Sequence, residues 1–238
     1  MIPFIYLGSS VFFPFNDNWN HIIDNVLLDY FINSLSLAIG VGFFSFILGT
    51  VTAWLTSVYD FPFRKIISWL LLMPLAMPAY IIAITYVGII DTYNFLPDIR
   101  NLFGGMVMIS LVVYPYVYIL ARGAFIEQSK ELYENAQILG SSQLSIFLKI
   151  SIPMARPAII LGVTLAAMEA LADFGTVTFL GIPTFTTGIF RTWFGMNDTI
   201  TATQMATLFL SIVFIFVFLE QNSRKKIRYS ENIKTQSI

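Results

Sequence analysis

Residues 131–153 read ELYENAQILGSSQLSIFLKISIP, a polar passage between two apolar blocks. Leu132, Ala136 and Leu139 recur at i, i+4 and i+7, a helical spacing that leaves Glu131, Glu134 and Gln137 on other faces. Ser129 is placed to cap this helix with Glu131 in its first turn, and Gly140 stands where a helix ends in a left-handed residue. A second helical run covers residues 142–150, and Pro153 marks entry to the next segment. The stretch therefore predicts a short helix, a sharp glycine turn and a second short helix, all outside a bilayer.

The bilayer is required by composition. Hydrophobic residues make up 57% of the 238 and charged residues 11%, with 23 Phe and a mean hydropathy of +0.76. Ordinary globular chains carry about 25% charged residues, so the expected fold class is an all-α polytopic membrane protein. The absence of cysteine excludes disulfides, thiol chemistry and thiolate metal sites. The single histidine, His21, cannot form a histidine cluster and reads as an ordinary loop residue.

Outward from the polar passage, the apolar blocks give a helix count. Residues 2–15 are apolar but only about 21 Å long as a helix, short of a hydrocarbon core of roughly 30 Å. They read as a partial first span, and residues 16–29, acidic and free of Lys and Arg, as an outer segment. Residues 30–59 span with tilt and carry the small-residue stripe Ser45, Gly49, Ala53. Residues 66–90 form the next block, broken by Pro74 and Pro78, where a kink near mid-membrane is expected. Residues 101–121, 156–177 and 199–219 complete five full spans, with an outer loop at 178–198. The segments are thus 1–29 (partial span and outer segment), 30–221 (transmembrane domain with the polar loop 129–153) and 222–238 (tail). With that loop inside, alternation puts eleven of the thirteen Lys and Arg inside and only Arg100 and Arg191 outside, as the positive-inside rule requires. The C-terminus is then cytoplasmic.

Glu134-Asn135-Ala136, three residues, Gly140, nine residues and Ile150-Ser151-Ile152-Pro153 together resemble the EAA loop of type I ABC importer permeases. Asn135 stands where that family usually has Ala, and Ile152 where it usually has Leu. The resemblance implies that Glu134, Asn135, Ala136, Gly140, Ile150, Ile152 and Pro153 dock on a separate ATPase. No GxxxxGK[ST] phosphate loop or catalytic constellation occurs in the chain. It is therefore read as a transport subunit and not an enzyme, without cofactor or metal. The implied partners are ABC ATPase subunits, a second permease half, a periplasmic substrate-binding protein and the lipid bilayer, with no nucleic acid. The implied location is a bacterial inner membrane.

Glu169 and Asp173 are the acids inside the apolar spans, four residues apart on one face with Gly162 and Ala166. At 1.5 Å per residue from Met154 they lie about 22 and 28 Å in, towards the outer mouth. An embedded carboxylate is expected to face a hydrated pathway, pair with Arg191, or hydrogen-bond at a helix end. Tyr80 and Tyr114 are further pathway candidates, each with packing as its plainer reading. Several passages (residues 75–80, 114–118, 173–176 and 183–191) also resemble the N-terminal half of ferric-iron importer permeases, where one polypeptide carries two such halves. Ferric ion is a hard cation suited to oxygen ligands. Thiamine, polyamine, sulfate and phosphonate permeases share the architecture, so these substrates stay open. So does a non-functional half-permease fragment. A secondary transporter would predict an internal repeat and mid-membrane ion sites, and no repeat is visible.

The charge asymmetry generates a topology prediction. Reporters fused after Leu96 and near Thr187 should appear on the outer side, and those after Ser129 and Ser230 inside. An outside signal at Ser129 would put the polar loop beyond reach of any cytoplasmic ATPase.

Overall fold

A computed structural model describes residues 2–93, 97–128 and 130–235. The expected cap at Ser129 lies outside them. Their regular structure is entirely helical. The helices are α1 (Ile2–Ser10), α2 (Asp17–Asn25), α3 (Leu27–Val58), α4 (Arg64–Leu70), α5 (Ala79–Tyr93), α6 (Leu102–Glu127), α7 (Lys130–Ile138), α8 (Gln143–Ile146), α9 (Ile152–Ala172), α10 (Gly175–Phe179), α11 (Phe185–Phe190) and α12 (Thr199–Thr235). Three of the helical stretches are long and apolar enough to cross a membrane: Leu27–Val58, Leu102–Glu127 and Gln143–Ala172. Arg64–Ala76 with Ala79–Tyr93 makes a fourth if that pair, bent by 93°, is one span, and Thr199–Ile215 is apolar but shorter.

The chain forms two compact units, residues 32–184 and residues 1–31 with 185–238. In the first, α6 packs against α3 and α9 at van der Waals limits. A Cβ on Gly49 of α3 would lie 2.6 Å from Val117 Cβ and 2.9 Å from the Tyr114 carbonyl oxygen, and one on Gly162 of α9 would lie 2.6 Å from Val117 Cα. Glycine at both positions lets the backbones touch, the close packing that small residues permit between apolar helices. Ser45 and Ala53 of the expected stripe are fully buried beside Gly49. Two apolar clusters flank this contact. One gathers Leu37, Val41, Ile109, Val113, Ala166 and Val177, the other Trp54, Tyr118, Phe125, Phe147 and Ile159.

In the second unit, polar side chains do the joining. The last turn of α1 leaves carbonyls that can accept further hydrogen bonds. Gln204 Nε2 donates to the Ser10 and Phe13 carbonyls, each at 3.1 Å, and Thr207 Oγ1 to the Leu7 carbonyl at 2.8 Å. Asp198 accepts from Asn16 Nδ2, Asn18 Nδ2 and Thr201 Oγ1. Partial burial draws its carboxyl upward, but hydrogen bonds from Asn18, the Thr201 backbone and Asn16 outweigh that and hold it at about 2. Phe185 stacks on Phe209 at 5.1 Å.

Several sequence expectations change here. Residues 16–29 contain α2, capped by the Asn16 side chain accepting from the Trp19 N–H, so His21 is helical and not in a loop. The outer loop at 178–198 holds α11 and a π-helical turn, Arg191–Gly195. Pro153 begins no new segment. The chain runs as one helix from Gln143 to Ala172 through a π-helical turn, Phe147–Ser151, in which the Ile152 N–H donates to the Phe147 carbonyl. A proline lacks the N–H that an i−4 carbonyl would receive, and the wider turn absorbs that loss without a break. The span expected to reach residue 177 stops at Ala172, where Asp173 turns extended (φ −62°, ψ 131°).

The helix contact yields a paired test. Gly162→Ala should cost about 1–3 kcal/mol of stability by forcing α9 off α6. Gly88→Ala, with nothing within 4 Å of its Cβ, should be neutral or slightly stabilising. Thermal unfolding in detergent compares them, and equal shifts would contradict the packing account.

Candidate functional site: the polar loop and a carboxylate-lined cavity

Gly140 adopts φ +81°, a conformation that costs other residues about 1–2 kcal/mol. The Ser141 N–H reaches back to the Ala136 carbonyl at 3.0 Å and the Gly140 N–H to the Gln137 carbonyl at 2.9 Å. These two bonds close α7 in a Schellman motif. The Ser142 side chain then accepts from the Ser145 N–H and starts the helix that continues to Ala172. The expected helix–glycine–helix arrangement is therefore present, but its apolar stripe is not all turned inward. Ala136 is buried, whereas Leu139 is 84% exposed and Ile138 82%. Leu132 lies among residues whose side chains are not described.

The loop is seated on the ends of the long helices. Phe147 packs against Trp54 of α3 at 4.6 Å, and Trp54 against Tyr59 at 5.2 Å. Gln128 Nε2 donates to the Ser151 carbonyl at 3.0 Å, and the Tyr59 and Tyr133 hydroxyls both meet Gln143 Oε1. Glu134, Gln137 and Ile150 line a cavity of about 290 Å³ with Val58, Phe125 and Met154. Asn135, Gly140 and Pro153 are exposed, Ile152 half-buried. Glu134 thus presents an exposed carboxylate, in no ion pair among the described residues, at the mouth of a cleft.

A second cavity, of about 390 Å³, opens where the proline-broken segment faces α6 and the end of α9. Pro74 sits in a 3₁₀ turn (Met73–Ala76), and Pro78 follows it directly before α5. Non-helical backbone at membrane depth is tolerated where it is buried in protein or lines a watery cavity, and residues 75–80 form one wall here. Val112, Val113 and Tyr116 form a second wall, and Glu169, Ala172, Asp173 and Phe174 a third. Three of the four pathway candidates, Tyr80, Glu169 and Asp173, therefore share one cavity. Tyr114 does not join them. It is 9% exposed and donates from its hydroxyl to the Leu71 carbonyl at 3.0 Å.

The two acids differ in circumstance. Asp173 accepts from Thr176 Oγ1 at 2.9 Å and from the Val177 N–H at 3.0 Å, so it also anchors the start of α10. Glu169 is exposed and in no ion pair among the described residues. No Lys or Arg lines the cavity. Sequence reasoning missed Phe147 and Trp54 as the seat of the loop, because the contact joins residues 93 apart and has no local signature. Among the described residues no cluster of three metal-ligating side chains occurs.

A family model described as "Binding-protein-dependent transport system inner membrane component" matches residues 45–229. The chain is 25% identical over 228 residues to the Fe(3+)-transport system permease protein FbpB 2 of Haemophilus influenzae, covering 92% of this chain and 42% of that one. It is 28% identical over 156 residues to the sulfate transport system permease protein CysT of Salmonella typhimurium, covering 62% and 56%. The chain thus spans about half the length of these two relatives. A bacterial ABC transporter involved in the import of the acidic polysaccharide alginate has the same fold, with a TM-score of 0.72 at 17% identity over 94% of this chain and 89% of that one.

The two carboxylates give different expectations for stability. Asp173→Ala removes the acceptor of two hydrogen bonds and should cost about 0.5–2 kcal/mol. Glu169→Gln should stay within about 0.5 kcal/mol, as for an exposed side chain without partners. Thermal unfolding of the purified variants separates them, and equal losses would mean that Asp173 has no anchoring role.

Proposed function

The chain belongs to the family of binding-protein-dependent transport system inner membrane components, and on that premise we propose that it is the membrane-spanning subunit of an ATP-driven importer, coupled to a separate ATPase through residues 129–153. The observation that carries this reading is the loop itself. A glycine-terminated helix exposes Ile138, Leu139 and Glu134 beside a cleft, and the helix that follows runs unbroken to the carboxylate-lined cavity. An ATPase seated on α7 would move a helix whose far end bears Glu169 and Asp173. ATP hydrolysis belongs to that partner chain. In this reading substrate arrives from a periplasmic binding protein, and the pathway is completed by a second permease half, because three or four spans enclose too little.

The substrate we propose is a hard cation, ferric iron. The charges lining the cavity are two carboxylates, with Tyr80 and Tyr116 as further oxygen donors, which suits a hard cation. The likeness to a sulfate permease supports an oxyanion as the second reading. Uptake of radiolabelled iron and of sulfate, each driven by ATP in the same proteoliposomes holding the full complex, distinguishes them. Saturable sulfate uptake without iron uptake would overturn the ferric reading and leave the importer reading intact.

Coupling is tested at the turn. Gly140→Val places a β-branched residue at φ +81° and should misdirect α7 while leaving the apolar spans in place. Glu134→Lys reverses the charge at the cleft. Both should lower ATPase recruitment to membranes and substrate-stimulated hydrolysis at least about tenfold, equivalent to about 1.4 kcal/mol of lost coupling, with permease abundance unchanged. Normal recruitment and hydrolysis by both variants would remove the loop from the mechanism.

A further inference from the structure

A third cavity, of about 350 Å³, lies between α4 and α6 and has no part in the coupling or cation reading. Arg64, Lys65, Ser68, Trp69 and Leu72 line one side, and Tyr118, Ile119 and Arg122 the other. Lys65, Ser68, Trp69 and Leu72 follow one another at i, i+3, i+4 and i+7 and so present one helical face. No acidic residue lines the cavity.

Its three cations are not equivalent. Arg64 is spoken for: Nε donates to the Thr56 carbonyl at 2.7 Å, one terminal nitrogen to the Ser57 carbonyl at 3.0 Å, and the other to Asp60. It closes the end of α3 and holds the wall. Lys65 and Arg122 have no ion-pair partner among the described residues. Arg122 Nε and Ser68 Oγ are both buried without a hydrogen-bond partner. Polar groups left in this state at the edge of a cavity are uncommon in folded chains. Two cations without ion pairs, a serine beside them and no acid in the lining suit the charge of a phosphate.

The surroundings specify the carrier of that phosphate. Trp69 and Ile119, in the lining, are 74% and 47% exposed, and Ile66 and Leu70, elsewhere on α4, are 57% and 51% exposed, an apolar collar beside the basic pocket. A soluble anion has no use for such a collar, whereas a lipid places its headgroup in the pocket and its chains along the collar. The height agrees, since Arg122 lies five residues from the end of α6 and Arg64 six residues beyond the end of α3. Basic pockets between helix ends, beside interfacial tryptophan, suit anionic headgroups. We propose that the Lys65–Ser68–Arg122 pocket binds the phosphodiester headgroup of an anionic phospholipid.

The test is native mass spectrometry of the full chain, purified in mild detergent and titrated with phosphatidylglycerol, with phosphatidylcholine and with inorganic phosphate. Phosphatidylglycerol should bind in preference to phosphatidylcholine. Lys65→Gln alone should weaken it about fivefold, and Lys65→Gln with Arg122→Gln by a further factor of about five. Lys149→Gln, which removes an exposed charge outside the pocket, should not change it. Equal binding of the two lipids, or equal losses in the Lys149 control, would overturn the proposal. Displacement of phosphatidylglycerol by inorganic phosphate at similar concentration would overturn it in favour of a free-phosphate site. Should the double variant fail to fold, the single Lys65 substitution at an exposed position carries the test.

Discussion

The contact of Gly49 and Gly162 with the backbone around Val117 governs residues 32–184. Hydrocarbon gives apolar side chains no advantage in meeting each other over meeting lipid, so helices associate where their surfaces approach most closely. Here two neighbours reach the same turn of α6, each with no side chain in the way. The clusters above and below it follow, because helices fixed at that distance must interdigitate their larger residues on either side. Pro115, inside α6 next to this contact, is buried where neighbouring helices surround the backbone it leaves unbonded.

With three helices pinned together, irregular backbone becomes affordable beside them. The prolines at 74 and 78 deny hydrogen bonds to two positions within six residues, and the chain answers with a 3₁₀ turn and a bend of 93°. That bend keeps the segment from filling the groove between α6 and α9, and the groove is the cavity. The acid at its rim serves twice, since Asp173 ends one helix and receives the Thr176 hydroxyl and the Val177 N–H at the start of the next. A hydrogen-bonding role at a helix end and a place facing a hydrated pathway had stood as alternatives for this residue; the geometry gives it the first, and it also lines the cavity.

Much of this was legible because the signals were local. Gly140 announces its turn through its missing side chain, and Ser45, Gly49 and Ala53 announce a contact face through spacing alone. Tyr80 was selected as a tyrosine near a broken helix and Glu169 with Asp173 as a pair of acids on one helix face, and the three meet in one cavity. What escaped was set by distant partners. Leu139 fits an inward stripe by period, yet the turn begun at Gly140 leaves it in the open. Pro153 reads as a boundary by the usual rule, and a single wide turn annuls the rule. Tyr114 carries the same side chain as Tyr80, but the Leu71 carbonyl, 43 residues away in sequence, claims its hydroxyl. The pairing of Phe147 with Trp54 is likewise invisible to any window of sequence.

The π-helical turn before Pro153 has a mechanical consequence. A broken helix would have let the segment after Gly140 swivel independently; the wide turn keeps residues 143–172 one continuous helix, about 45 Å long at 1.5 Å per residue, even with Pro157 inside it. That helix meets the α6 backbone at Gly162, which in the proposed coupling would serve as fulcrum, with about 29 Å of arm on one side and about 15 Å on the other. Leverage therefore runs two to one against the far end. In the proposed coupling, a swing of about 4 Å beside the glycine turn would arrive as roughly 2 Å near the carboxylates, a gearing that trades travel for force.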